Sequence, residues 1–222
     1  MEDWLTYRLS DLLLFSPRTY YRLFELHNRT WWPAHLAMLG AALCILVLAR
    51  RRTPWSVSAS TVLLSGCWLF VGWAFHVDRY ATINWAARYF GIAFVLQAAL
   101  MLWYSIWQRR RVQRPPSHPS LDKAALGLTL FALFLHPVIG LVVGREWTQI
   151  ETFGITPDPT AIATLGILPL LSLPVPRRLL LIPVLWCAIS GATLWAMGSL
   201  DAPMVPLLGL TGVVTALRHR RA

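Results

Sequence analysis

The side chains of this chain best suited to chemistry are polar residues set in or beside long apolar runs. His136 lies about two turns inside one such run, and an ionisable group at that depth faces the protein interior and marks a functional position by default. His35 and His76 stand near the ends of two other runs, with Asp78, Glu146, Glu151 and Asp158 in the flanking segments. Three imidazoles with neighbouring carboxylates are the ligand types of zinc or a similar divalent ion. No HxxxH or HExxH spacing ties any two of them, so a metal site at His35, His76 and His136 needs a proximity that spacing alone does not give. The competing reading is isolated histidines bonded to serine or backbone.

A second chemistry is passage of a small solute or ion. Ser58, Thr61, Ser65, Gly72 and His76 fall on one arc of a helix, and Thr129, Ala132, His136 and Gly140 do so on another. Gly140 also opens a GxxxG to Gly144, and small residues let membrane helices pack closely, so packing is the plain alternative. Asp158 and Thr160 open an apolar run that Pro169 interrupts and Pro174 and Pro176 end. Proline inside a helix frees backbone groups, and short broken spans line binding sites in transporters. Ser65, His76, His136, Asp158 and Thr160 are therefore the expected pathway or site residues. Against this stands the reading that Asp158 and Asp201 simply cap helices.

The elements that must hold these residues are hydrophobic helices. Apolar residues make up 56% of the 222 and charged residues only 14%, too few to cover a water-facing surface. Apolar runs fall at about 33–49, 56–76, 85–107, 124–143, 159–173, 179–198 and 203–217. The expected fold is all-α, a polytopic transmembrane helical bundle of about seven spans. Residues 1–32 form an outer segment, 33–217 the spans, and 218–222 a basic cytoplasmic tail. The net charge of +10 is not a nucleic-acid footprint, because the basic residues sit in short clusters between runs.

Those clusters set the orientation. Arg50 to Arg52, Arg109 to Arg111, Arg114, Lys123, Arg177, Arg178, Arg218, Arg220 and Arg221 gather on one side with a single acid, Asp122. The positive-inside rule makes that side cytoplasmic, with the N-terminus outside and the C-terminus inside. Trp31, Trp32, Trp73, Trp85 and Trp147 are then outer interface anchors, and Trp55, Trp103 and Trp107 inner ones. Ahead of the first span, Ser16-Pro17 reads as an N-cap and first helical position. Arg18, Arg22, Glu25 and Arg29 form one stripe of the helix that follows, opposite Tyr20, Leu23, Phe24, His27 and Trp31. The expectation is an amphipathic helix on the outer surface. Cys44, Cys67 and Cys187 form no CxxC pair and read as small buried hydrophobes.

Four stretches carry a resemblance: LeuLeuPheSerProArgThrTyrTyrArgLeuPheGluLeu at 13–26, TrpProAlaHis at 32–35, GlyIleAlaPheValLeuGln at 91–97 and PheGlyIleThrProAspProThr at 153–160. Together they resemble a family of bacterial multi-pass membrane proteins of unknown function, over nearly the whole chain. The resemblance implies a polytopic protein of the bacterial cytoplasmic membrane and supplies no activity. Three readings remain: a transporter-like protein for a small solute or ion, a non-catalytic component packing with partner membrane proteins, and a metal-binding membrane-embedded enzyme. No P-loop, Rossmann or GxSxG signature favours the enzyme. No cofactor is expected apart from the divalent metal of that third reading. The expected partners are the lipid bilayer, a small solute or ion, or another membrane protein, and not nucleic acid.

Overall fold

Ser16 starts the first helix as its residue type dictates: its hydroxyl accepts the backbone N–H of Thr19 at 3.2 Å, with Pro17 at the first helical position. The computed structural model describes residues 13–51, 53–111, 122–171 and 175–218. Residues 1–12, Arg52, Arg114, Pro174, Arg220 and Arg221 lie outside the described residues, as do the side chains of Trp107, Arg109 to Arg111 and Arg218. The helices are α1 (Pro17–Trp31), α2 (Ala34–Arg51), α3 (Pro54–Phe70), α4 (Ala87–Arg111), α5 (Lys123–Leu130), α6 (His136–Val142), α7 (Pro157–Leu171), α8 (Arg178–Ala196) and α9 (Met204–Arg218). α3 runs on as a π-helical segment, Val71–Val77, and a second one, Phe131–Leu135, joins α5 to α6. There is no strand among the described residues.

α1 is amphipathic. Arg18, Arg22 and Arg29 are exposed, while Tyr20, Leu23, Phe24 and His27 are buried. Glu25 departs from the expected exposed stripe. It is 6% exposed, held beneath Arg22 at 2.5 Å and Arg29 at 2.9 Å.

Long-range contacts give the helix directions. At one end of the bundle Asn28 reaches the carbonyls of Thr148 and Ile150, His27 that of Ile155, and Tyr21 reaches Ser199. At the other, Arg178 lies over the Trp103 ring at 3.9 Å and Gln97 donates to the Leu179 carbonyl. With Phe90, early in α4, against Trp186, midway along α8, these contacts make α4 and α8 antiparallel, and α5 and α6 act as one rod. α7 is the axis. Each of its residues is buried, and it packs against α2, α3, α5, α8 and α9. At 15 residues it is only about 22 Å long, shorter than the roughly 30 Å hydrocarbon core. A helix sheathed on all sides by protein need not match the lipid.

The outward faces are apolar. Leu36, Leu39, Leu43 and Val47 of α2 are exposed, as are Leu181, Leu185 and Ile189 of α8. Such spacing is one helical face turned to an apolar solvent. Cys44 joins that face, whereas Cys67 and Cys187 are buried, so only those two match the buried reading. Trp32, Trp73, Trp85 and Trp147 at one end and Trp55 and Trp103 at the other are exposed, as interface anchors require. Among the described residues, five rods are long and apolar enough to cross a membrane: Ala34–Arg51, Pro54–Thr82, Ala87–Ile106, Lys123–Val142 and Arg178–Ala196. Met204–Leu217 is a shorter apolar helix.

The GxxxG expected to form a packing seam does not form one. A Cβ on Gly140 would touch only the Arg145 side chain, and Gly144 has φ +89, the left-handed backbone where the helix stops. The close approach comes instead from Gly166 of α7, which lies directly against Ala125 and Thr129 of α5.

Candidate functional site

At the end of the bundle that carries α1, two connections distant in sequence meet on one guanidinium. Arg145 follows α6, Glu151 precedes α7 and Asp201 precedes α9. Arg145 Nη1 donates to Glu151 Oε1 at 3.0 Å, and Nη2 donates to Asp201 Oδ2 at 2.5 Å. All three side chains are about 5% exposed or less. Ser199 donates to the other Asp201 oxygen at 2.5 Å, and since its hydrogen is committed there, the Tyr21 hydroxyl donates to Ser199 at 3.2 Å. The Tyr21 ring also covers the guanidinium at 4.7 Å, a cation–π contact from α1.

A fourth charged residue lies close by. Asp158, in the first turn of α7, is 2% exposed. It does not merely cap its helix. Oδ1 accepts from Trp186 Nε1 at 2.7 Å and Oδ2 from the Ser190 hydroxyl at 2.6 Å, both on α8. Asp201 likewise belongs to the ion-pair cluster rather than to a simple cap.

Electrostatically the group is unbalanced. Two buried carboxylates, Glu151 and Asp201, share one buried guanidinium, and a third, Asp158, lies within its electrostatic range. Burial holds the Glu151 carboxyl well above the usual range, and the charge of Asp158 adds to that; Arg145 opposes both. For Arg145 burial works against the charge, but Glu151, Tyr21 and Asp201 outweigh it and the guanidinium stays protonated. Two polar atoms here are buried and unpartnered: Glu151 Oε2 and Arg145 Nε. Arg145 also lines a pocket of about 270 Å³, together with Tyr21, Gln149, Met197, Ser199 and Leu200.

The residues expected from sequence fall into separate places. His136 is buried with both ring nitrogens unpartnered, within electrostatic range of Arg145 and Asp201. It starts α6, directly after the π-helical segment, where its own N–H reaches back to the Phe131 carbonyl. Pro137 explains that irregularity, because it has no N–H and its ring crowds the preceding turn. His76 lies in the other π-helical segment. It is fully buried with neither nitrogen bonded, between the rings of Phe94 at 4.4 Å and Trp186 at 4.7 Å. Trp186 therefore separates His76 from Asp158.

His35 is in neither place. Its Nε2 is 3.2 Å from Asn28 Oδ1, beside a groove of about 610 Å³ that Trp32 and Trp147 also line. Among the described residues no three His, Cys, Asp or Glu side chains are grouped to hold a metal ion. Ser65 bonds within its own helix to the Thr61 carbonyl. Thr160 donates to the Thr156 carbonyl, accepts from the Gly154 N–H, and is fully buried. α3 and α5 both pack against α7, so the two polar stripes flank a filled helix. Ser65 and Thr160 are thus internally bonded, His136 lies within electrostatic range of the charged cluster, Asp158 belongs to it, and His76 is walled off from it by Trp186. Arg145 was absent from the expected set, Glu151 entered it only as a carboxylate flanking the histidines, and Asp201 only as a helix cap.

The family of unknown function DUF6064 matches residues 18–222, nearly the whole chain, and the chain belongs to that family. No curated protein and no solved structure matches it.

Proposed function

We propose that this member of the DUF6064 family is a transporter-like, seven-span protein of the bacterial cytoplasmic membrane. In this reading the N-terminus is outside, α1 lies along the outer surface, and a small cation or proton enters from the outer end. α7 and α9 complete the seven spans, α7 as an inner helix shielded from lipid. The reading is carried by one observation: Glu151 and Asp201 are buried on the guanidinium of Arg145, Asp158 is buried within its electrostatic range, and Arg145 also lines a pocket. Buried carboxylates in excess of their cations are costly unless they take up a proton or a cation. Intramembrane and near-membrane charges of this kind line ion and proton paths.

The test is cation and proton flux into liposomes holding the purified protein, together with single cysteines in a background without Cys44, Cys67 and Cys187. Cysteine at Ser199 should react with a membrane-impermeant thiol reagent from outside, and cysteine at Thr160 should not. Flux that Asp158→Asn abolishes would support the reading. Absence of flux for protons and every small cation tried, with Ser199→Cys unreactive, would remove it.

One observation favours a non-transporting membrane component instead. The polar stripe of α3 bonds within the protein: Ser58 to the Ser105 carbonyl, Thr61 to that of Val57, and Trp68 to Thr164 on α7. Stripes bonded in this way act as packing surfaces. Co-purification of a stoichiometric partner, with no flux, would favour that role.

A further inference from the structure

The oxygen atoms of the three buried carboxylates are not equally occupied. Asp201 has both filled, by Arg145 and Ser199. Asp158 has both filled, by Trp186 and Ser190. Each of those four bonds comes from an N–H or O–H donor, so no oxygen of Asp158 or Asp201 is left without one. Glu151 has one oxygen on Arg145 and the other, Oε2, buried without a partner. A buried carboxylate oxygen with no donor is the costliest of the six to leave charged.

The charged and titratable groups around Glu151 come from every neighbouring segment. Arg145 follows α6, Asp201 precedes α9 and Asp158 begins α7. Tyr20 of α1 lies within electrostatic range as well. If all the acids were ionised, three negative charges would face one positive charge out of contact with water. Neutralising one acid halves that excess, and the bonding pattern selects which acid.

We propose that Glu151 is the proton-binding residue of this site and carries its proton on Oε2 at neutral pH. Proton release breaks the Oε2–H bond, leaves the carboxylate on Arg145, and passes the proton outward through the pocket that Arg145 walls. That route rests on the outward-opening reading given above, whereas the protonation state does not.

Infrared spectroscopy of the purified protein in nanodiscs tests the assignment. A protonated carboxylic acid shows a C=O stretch well separated from that of a carboxylate. The expected result is such a band at neutral pH that shifts with carbon-13 glutamate and not with carbon-13 aspartate. It should vanish in Glu151→Gln and persist in Glu25→Gln, since Glu25 is paired with both Arg22 and Arg29. Glutamine mimics the neutral acid, so Glu151→Gln should also keep the wild-type unfolding temperature. If that variant fails to fold, the proposal is overturned on stability grounds, and the labelled wild-type protein still reads the residue type. Absence of an acid band at neutral pH, or a band that moves only with labelled aspartate, would also overturn it. A band present in a protein without flux would keep the proton on Glu151 while removing the transport reading.

Discussion

Arg145 Nη2 lies 2.5 Å from Asp201 Oδ2, which locks the segment after α6 to the segment before α9 across 56 positions of sequence. Removing one member of a buried pair strands the other, at a cost of about 3–5 kcal/mol. Arg145→Ala strands two carboxylates and should lower stability by at least that range. Arg145→Lys keeps the charge but loses the two-pronged geometry, and should fall between. Thermal unfolding in detergent reads both. Asp201→Asn combined with Arg145→Ala should cost clearly less than the sum of the two. Strict additivity would mean that the pair is not coupled.

Asp158 offers a finer test through Ser190, whose hydroxyl is 2.6 Å from Oδ2 and 2% exposed. A hydrogen bond to a charged group contributes about 1.5–3 kcal/mol. Ser190→Ala should therefore destabilise by an amount in that range. Thr193→Ala, one turn further on, removes an exposed hydroxyl bonded only to the Ile189 carbonyl of its own helix. It should change stability by less than about 0.5 kcal/mol. Equal effects at the two positions would show that Asp158 does not depend on the Ser190 donor.

The helices were legible because their signals are local. Hydropathy runs placed each apolar helix to within a few residues, and Ser16-Pro17 marked the start of α1. The cluster was not legible, because Arg145 and Glu151 share the connection between α6 and α7 while Asp201 comes from the one between α8 and α9, and no local spacing records that meeting. A census of the outer segments held a hint: Arg145 is the basic residue nearest Glu151, and Asp201 stands alone before Pro203. Pro137 was also in view and points to the irregular turn before His136, whereas the π-helical segment at His76 has no such marker. Thr160 was expected to line a pathway because it opens a proline-broken run. It is buried because α7 is wrapped on all sides, a tertiary fact that hydropathy does not encode.

The contact of α5 with α7 turns on Gly166. A Cβ there would lie 2.7 Å from the Ala125 carbonyl oxygen and 2.9 Å from the Thr129 nitrogen, both backbone atoms with little freedom to yield. Overpacking of this kind costs about 1–3 kcal/mol, so Gly166→Ala should lower the unfolding temperature. Gly127 on α5 has nothing within 4 Å of the same added carbon. Gly127→Ala should be neutral or stabilise by up to about 1 kcal/mol, from helix propensity alone. A Gly166→Ala protein as stable as the wild type would mean that the two helices are free to separate.

His27 ties α1 to the bundle and should make that attachment sensitive to acid. Its Nε2 is 3.0 Å from the Ile155 carbonyl, which can only accept, so Nε2 carries the hydrogen and the buried Nδ1 has no partner. Burial, helped by the nearby positive charge of Arg79, lowers its pKa from 6.5 to about 4, even though the bond to Ile155 works the other way. The unfolded chain therefore takes up this proton at a higher pH than the folded one. Between those two values the unfolded state binds more protons, so stability falls as the pH is lowered through the window and levels off beneath it. The full loss is roughly 3 kcal/mol. His27→Gln keeps an N–H donor toward Ile155 and cannot titrate. Unfolding temperatures of the two proteins, measured across the window, should diverge from wild type alone losing stability. Parallel curves would show that His27 is not held neutral by the fold.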